Sequence, residues 1–188
     1  MAASAQALDI HGHRGARGLA PENTLAAFAR ALSLGVTTLE LDCAVTRDGV
    51  VVVSHDPALN PDLTRTPDGK WLDRPGPRIR DLTYEQLQRY DVGRVKPDTA
   101  YAKRFPDQQP VDGEKIPRLA DVFALVKRSG NGAVRFNIET KISPLVPEET
   151  TDPEDFARYL SEEMGAPVVL TANGADRVDR QMRCPVPA

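Results

Sequence analysis

The 188-residue chain has few cysteines, few aromatic residues and no strong excess of charge of either sign. Its two cysteines, Cys43 and Cys184, lie far apart without Cys-x-x-Cys spacing, which argues against a thiolate metal site or a redox motif. The formal net charge is −3 and there is no basic cluster, so nucleic acid is not expected as a partner. No apolar run is long enough to span a membrane. What remains, 40% hydrophobic and 27% charged residues, is typical of a globular protein.

The first residues, 1–7, resemble the end of a secretory signal. Ala5 and Ala7 have the spacing of a cleavage site, although the charged and apolar regions that precede such a site are not in this sequence. We therefore expect a periplasmic or secreted parent protein, with a cytoplasmic location as the alternative.

A turn signal lies between two β-prone segments. Asp48-Gly49 separates residues 38–46 from residues 50–55, and this pattern predicts a hairpin with a two-residue turn. In that register Asp42 lies opposite His55, which brings a carboxylate beside an imidazole. Glu40 and Asp42 are two residues apart on one strand, so their side chains share a face and can bind one cation.

A second strand, residues 133–141, alternates between apolar and polar side chains. Ionisable groups on the inner face of a buried strand are costly unless they bind something, so this pattern indicates a site. The alternative is an edge strand with one solvated face. The polar set consists of Arg135, Asn137, Glu139 and Lys141.

Three carboxylates on these two strands, Glu40, Asp42 and Glu139, would form a ligand set made only of oxygen atoms. Hard cations such as Mg²⁺ and Ca²⁺ prefer such ligands, whereas zinc prefers nitrogen and sulfur. We therefore predict a divalent cation, Mg²⁺ or Ca²⁺, at this site.

Two of the three histidines have neighbours suited to phosphate chemistry. His13 precedes Arg14 and His55 precedes Asp56, and a pair of imidazoles can share proton removal and proton donation near neutral pH. Arg14 offers a planar fork of donors to a phosphate oxygen, or else forms a surface salt bridge. His11 is more simply interpreted as structural.

Helical patterns fill part of the remaining sequence. Apolar residues at helical spacing predict helices over residues 25–34, ending at Gly35, and over about 119–128, ending at Gly130. A further helix is expected from about residue 154 to residue 164.

Taken together, the motifs of this chain resemble those of the glycerophosphodiester phosphodiesterase family over about residues 8–145. The resemblance implies a (β/α)₈ barrel that hydrolyses glycerophosphodiesters to an alcohol and glycerol 3-phosphate with a divalent cation. It implies His13 and His55 as the acid–base pair and Arg14 and Lys141 as residues that stabilise phosphate charge. The metal ligands would be Glu40, Asp42 and Glu139. The motifs are His13-Arg14-Gly15, Pro21-Glu22-Asn23-Thr24, Glu40-Leu41-Asp42, Thr46-Arg47-Asp48-Gly49, His55-Asp56 and Ile138-Glu139-Thr140-Lys141.

Residues 57–115 correspond to the insertion that this family carries between its second and third barrel units. The segment is rich in Pro, Asp and Gly, and a capping box at Thr83 predicts a short helix to about Tyr90. We expect the insertion to cap the barrel mouth and to help select the alcohol group, although any one of its aromatic residues could instead pack within the insertion. These are Trp71, Tyr84, Tyr90, Tyr101 and Phe105.

The chain is short for the predicted fold. A complete (β/α)₈ barrel takes about 250 residues and rarely fewer than about 200. We therefore predict an α/β fold that is about half a barrel, truncated at its C-terminal side, with an incomplete domain at 8–164 and a divergent tail at 165–188. An open half-barrel leaves a sheet edge unpaired, which favours self-association.

Three functions follow from these observations. The first is metal-dependent hydrolysis of a small-molecule glycerophosphodiester. The second is an inactive truncated fragment that keeps the motifs and binds a divalent ion or a partner chain without turnover. The third keeps the catalytic core but takes a sphingolipid-type phosphodiester, and the insertion favours the first over it.

Overall fold

The computed structural model describes residues 8–140, the helical positions Tyr159 and Glu162, and the backbone of two strands at 169–173 and 179–183. None of the described helices is long and apolar enough to cross a membrane.

The described strands form one six-stranded open sheet. The strands are β1 (His11–Gly12), β2 (Thr38–Val45), β3 (Val51–Val53), β4 (Arg135–Thr140), β5 (Val169–Asn173) and β6 (Asp179–Arg183). Strands β1, β2 and β4 lie side by side and run parallel, as expected for consecutive units of a (β/α)₈ barrel. Strand β3 returns antiparallel to β2.

The far side of β4 is covered by a hairpin of β5 and β6. Strand β6 pairs antiparallel with β4 through Met182 and Ile138, and β5 pairs antiparallel with β6. The sheet is open, as predicted, but β4 is not one of its ends, because β6 lies beside it. An open edge leaves backbone N–H and C=O groups without hydrogen-bond partners. The hairpin supplies partners for some of these groups on β4. The ends of the described sheet are β1 and β5.

Two helices cover one face of the parallel strands, close to their predicted positions. Helix α1 (Leu25–Ser33) begins at Thr24, whose hydroxyl accepts a hydrogen bond from the Ala27 N–H. Helix α4 (Leu119–Ser129) ends at Gly130, which has a φ of 71° and so forms a left-handed cap. These helices bury the apolar face of β2 and β4. The centre of this core contains Phe28, Leu39, Leu41, Leu119, Val122, Phe136 and Ile138.

Cys43 lies on the same face of β2, as alternation along the strand predicts. It is 3% exposed, and burial raises the pKa of its thiol. It is an ordinary buried thiol.

The β2–β3 hairpin has a three-residue loop instead of the predicted two-residue turn. Thr46 pairs with Val50 across the loop, and its N–H donates to the Val50 carbonyl over 3.0 Å. Gly49 has a φ of 82°, the left-handed conformation that closes a three-residue loop. The register is consequently shifted by one residue, so that Asp42 faces Ser54 and not His55.

The insertion forms its own small core against the other side of this hairpin. Its short elements are a 3₁₀ turn at Ile79–Asp81, α2 (Tyr84–Leu87) and α3 (Ala100–Arg104). The capping box predicted at Thr83 is present. This second cluster is built on Val52, Leu59, Ile79, Leu87 and Ile116. The insertion is thus an ordered layer beside the hairpin.

Candidate active site

The candidate site lies on the face of the parallel strands that the helices leave uncovered. Parallel pairing sets Asp42 of β2 beside Glu139 of β4, and Glu40 beside Asn137. Each of the three carboxylates, Glu40, Asp42 and Glu139, offers an oxygen within 4.8 Å of the others. Glu40 and Asp42 are buried, whereas Glu139 is exposed. The two strands therefore bring together the three predicted metal ligands.

The negative charge of Glu40 is destabilised by its surroundings. Burial, and then the charges of Asp42 and Glu139, raise the pKa of Glu40 to about 7. A bound cation would remove this penalty, and the oxygen donors suit a hard divalent ion. The residues present therefore fit the predicted metal.

The turn after β1 brings Arg14 to these carboxylates. Arg14 has a φ of 52°, and its backbone N–H donates to Oε2 of Glu40 over 2.7 Å. Gly15 follows with a φ of 80°, and a Cβ at this position would lie 2.7 Å from a backbone atom of Ala27. Only glycine fits a left-handed residue pressed this closely against α1.

The guanidinium of Arg14 lies between two carboxylates. Its Nη1 donates to Oε1 of Glu22 over 2.9 Å, and its Nε lies 3.4 Å from Oδ2 of Asp42. The arginine side chain is only 13% exposed. Arg14 is therefore part of the site and does not form a surface salt bridge.

Asn23 supports the same carboxylate from the loop after Arg14. Its side-chain amide donates to Oδ2 of Asp42 over 3.2 Å, and Asn23 has a φ of 55°. Few residues other than glycine have a positive φ, and asparagine is one of those that adopt it most readily.

His13 lies at the edge of the carboxylate cluster. Its Nε2 is 3.7 Å from Oε2 of Glu40, and about half of the side chain is exposed. Burial, and then the positive charges of Arg17 and Arg14, lower the pKa of His13. His11 lies outside the cluster, with its Nε2 3.1 Å from Oδ2 of Asp9, consistent with the structural interpretation.

His55 follows β3, where it pairs with its neighbour instead of Asp42. Nδ1 of His55 lies 2.7 Å from Oδ1 of Asp56, and Asn60 donates to Oδ2 of the same carboxylate over 2.7 Å. The hydrogen bond from His55 is the main cause that lowers the pKa of Asp56. The Asp56 carboxylate is therefore ionised at neutral pH and holds one nitrogen of the imidazole.

A pocket lies between His55 and the insertion. Glu22 and Asn23 line one side of it, and His55 and Asp56 line another. The remaining wall is mainly apolar and comes largely from the insertion. Its residues include Leu59, Leu63, Val92 and Val95. The insertion thus shapes the space next to one of the two predicted acid–base residues.

Sequence reasoning missed several residues of this site. Glu22, Asn23 and Asp56 belong to motifs that the sequence shows, but no structural role was predicted for them, and no motif includes Asn60. Among the aromatic residues of the insertion, Tyr101 reaches the site, where its hydroxyl donates a hydrogen bond to Glu22. The predicted phosphate ligand Lys141 lies outside the described residues.

Comparisons with known proteins agree with these motifs. The model of the glycerophosphoryl diester phosphodiesterase family matches residues 13–164. A glycerophosphodiester phosphodiesterase from Caldanaerobacter subterraneus subsp. tengcongensis is 36% identical over 132 residues, which cover 70% of this chain and 44% of that protein. Human glycerophosphodiester phosphodiesterase 1 is 38% identical over 115 residues, covering 60% of this chain and 28% of that protein.

Solved structures show the same likeness. A crystal structure from Silicibacter pomeroyi DSS-3, assigned as a glycerophosphoryl diester phosphodiesterase, matches with a TM-score of 0.77 and 35% identity, covering 84% of this chain and 53% of that chain. An Oleispira antarctica phosphodiesterase, solved with the product sn-glycerol-3-phosphate, matches with a TM-score of 0.56 and 25% identity. The match covers 84% of this chain and 52% of that chain.

These matches confirm the α/β barrel-type fold and define how much of it is present. The chain spans less than half the length of the two named relatives and about half of each named crystal structure. Since the family model matches most of the chain, the protein belongs to the glycerophosphoryl diester phosphodiesterase family.

Proposed function

We propose that the chain carries the metal-dependent active site of a phosphodiesterase that cleaves glycerophosphodiesters to an alcohol and glycerol 3-phosphate. The observation that supports this most is the joint position of Arg14 and the three carboxylates Glu40, Asp42 and Glu139 on one face of the sheet. The Oleispira antarctica phosphodiesterase was solved with sn-glycerol-3-phosphate as its product, so that protein releases the product proposed here.

The first requirement of the reaction is to hold an anionic phosphodiester. Glu40, Asp42 and Glu139 would hold Mg²⁺ or Ca²⁺, which when bound supplies positive charge to the phosphate oxygens. Arg14 adds a second positive group, because its guanidinium can donate two parallel hydrogen bonds to a phosphate. Lys141 is proposed as a third positive group because the family resemblance implies it.

The second requirement is proton transfer. The nucleophilic hydroxyl, from water or from the glycerol itself, must lose a proton, and the leaving alkoxide must gain one as its bond to phosphorus breaks. We assign these two transfers to His13 and His55. His13 stands beside Glu40, and His55 stands at the pocket wall with one nitrogen held by Asp56. The pocket beside His55 is the proposed place for the leaving alcohol.

The test is release of glycerol 3-phosphate from glycerophosphocholine by the purified chain, with Mg²⁺, with Ca²⁺ and with EDTA. Metal-dependent release that is lost in His13→Ala and His55→Ala supports the proposal. The alternative, a fragment that binds a divalent ion without turnover, predicts metal binding by calorimetry with no release of product. Release that EDTA leaves unchanged would contradict both.

The position of Glu139 supports keeping that alternative in the test. Glu139 is exposed on a face of the sheet that a closed barrel would enclose. A reacting group displaced by about 1 Å can lose a hundredfold in rate, so a site that holds its residues less firmly could bind metal and still turn over slowly. Size measurement in solution, run alongside the assay, shows whether self-association accompanies activity.

A further inference from the structure

The insertion is attached to the loop that carries Glu22 by several independent contacts. Phe105 stacks under the guanidinium of Arg17, which lies 4.8 Å from the ring centroid. The side-chain amide of Gln108 donates to the Arg17 carbonyl over 2.6 Å, and the Gln109 N–H donates to the Leu19 carbonyl over 2.9 Å. The segment from α3 to Gln109 therefore lies directly on the loop between β1 and α1.

One contact of this segment leads to Arg14. The Tyr101 hydroxyl donates to Oε2 of Glu22, while Oε1 of the same carboxylate accepts from Nη1 of Arg14 over 2.9 Å. Glu22 thus uses one oxygen for the insertion and the other for the arginine. Its side chain is 7% exposed, so water cannot readily replace either partner.

We propose that Tyr101 and Glu22 are positioning residues for Arg14, and that the insertion thereby sets the affinity of the site for a phosphate-bearing ligand. This inference rests on the proposed role of Arg14 in phosphate binding. Neither Tyr101 nor Glu22 is assigned a contact with the phosphate group or a part in proton transfer.

The physical reason is the freedom of the arginine side chain. A long side chain that must be ordered when ligand binds loses rotamer entropy at that moment, whereas one already held by a carboxylate has lost it beforehand. A carboxylate on its own would also compete with phosphate for the guanidinium. The hydrogen bond from Tyr101 partly neutralises the negative charge of Glu22. Glu22 can therefore orient Arg14 while competing less strongly with phosphate for the guanidinium.

Tyr101→Phe is the informative variant because it removes only the hydroxyl. The ring, whose centroid is 5.0 Å from that of Phe105, keeps its packing. Tyr84→Phe is the matched control. It removes a phenol of the same insertion that stands near Arg118 and Asp121, away from Arg14.

The experiment is a double-mutant cycle on the binding of sn-glycerol 3-phosphate, measured by titration calorimetry in buffer containing Mg²⁺. We expect Tyr101→Phe to weaken binding about three- to tenfold, as the loss of one hydrogen bond would. In the Arg14→Ala background Tyr101→Phe should have no further effect, because the group that it positions is gone. Tyr84→Phe should leave affinity unchanged, and thermal melting should show all variants folded.

The outcomes separate this inference from the proposed activity. The positioning role would be overturned by any of three results. Tyr101→Phe could weaken the binding of sn-glycerol 3-phosphate equally with and without Arg14, it could leave binding unchanged, or the wild-type chain could fail to bind. If the wild-type chain binds sn-glycerol 3-phosphate with the expected coupling but releases none from glycerophosphocholine, the proposed activity fails and the positioning role stands. Glu22→Gln, which keeps the shape of the side chain, should also weaken binding.

Discussion

Nδ1 of His55 lies 2.7 Å from Oδ1 of Asp56. When the N–H at this position donates a hydrogen bond to the carboxylate, the other ring nitrogen is left to exchange a proton with a substrate. Asn60 in turn fixes the carboxylate, donating to Oδ2 over 2.7 Å. The orientation of one proposed acid–base residue is therefore set by Asp56, which Asn60 of the insertion holds in place.

Asp56→Asn should lower turnover of glycerophosphocholine by roughly tenfold to a hundredfold, because an amide no longer selects one tautomer of His55. Steady-state kinetics measure the effect, and metal affinity should stay unchanged since Asp56 is not among the proposed ligands. Asp73→Asn, at an exposed carboxyl of the insertion, is the control. Equal activity in both variants would remove the role assigned to Asp56.

Substitutions of the proposed ligands should affect binding as well as rate. Glu40→Gln, Asp42→Asn and Glu139→Gln should each weaken Mg²⁺ or Ca²⁺ binding and lower turnover, because each removes one charged oxygen ligand. His13→Ala and His55→Ala should abolish turnover while nearly preserving metal affinity. Calorimetric titration with the metal separates the two classes, and a histidine variant that loses metal as strongly as the carboxylate variants would contradict the division.

The raised pKa of Glu40 makes a prediction about the metal-free chain. In the folded state Glu40 keeps its proton up to about pH 7, whereas in the unfolded state it releases the proton near its ordinary value of 4.5. Between these values the folded state binds more protons, so the free energy of unfolding should fall as pH rises, by an amount on the order of 3 kcal/mol. Urea unfolding in EDTA at a series of pH values measures this.

Glu40→Gln is the matched variant for that measurement. It cannot ionise, and its side-chain oxygen can still accept the Arg14 N–H, so the decline between pH 4.5 and 7 should be largely removed. Added Mg²⁺ should stabilise the wild-type chain more than the variant at pH 8. A decline of equal size in both proteins would show that another group causes it.

Gly15→Ala should destabilise the chain by roughly 2–4 kcal/mol, since Gly15 has a φ of 80° and an added Cβ would lie 2.7 Å from the backbone of Ala27. Gly18→Ala, in the same loop, is the control, because nothing lies within 4 Å of a Cβ there. Its effect should stay within about 0.5 kcal/mol. Denaturant unfolding followed by Trp71 fluorescence compares them, and similar midpoints for the two variants would contradict the tight contact between the loop and α1.

Local patterns in the sequence were sufficient for the elements that carry the proposed metal ligands. Alternation placed Glu40 and Asp42 on one face of β2 and Glu139 on the polar face of β4, because successive side chains of a strand point to opposite sides. The parallel pairing of the two strands then sets Asp42 beside Glu139. Apolar spacing and capping residues located α1 and α4 to within a residue or two. The register of the hairpin was predicted wrongly, because Asp48-Gly49 is compatible with both a two-residue and a three-residue loop.

The sequence by itself determined the family, since each of its motifs consists of residues close together along the chain. That resemblance implied the α/β barrel-type fold and Glu40, Asp42 and Glu139 as the carboxylate set. Only the tertiary structure decided that β6 covers the edge of β4, that Asp56 and Asn60 hold His55, and that Tyr101 reaches Arg14 through Glu22. The contact between Tyr101 and Glu22 joins residues 79 positions apart in the chain. Such contacts depend on how separate elements pack, and no local pattern records that packing.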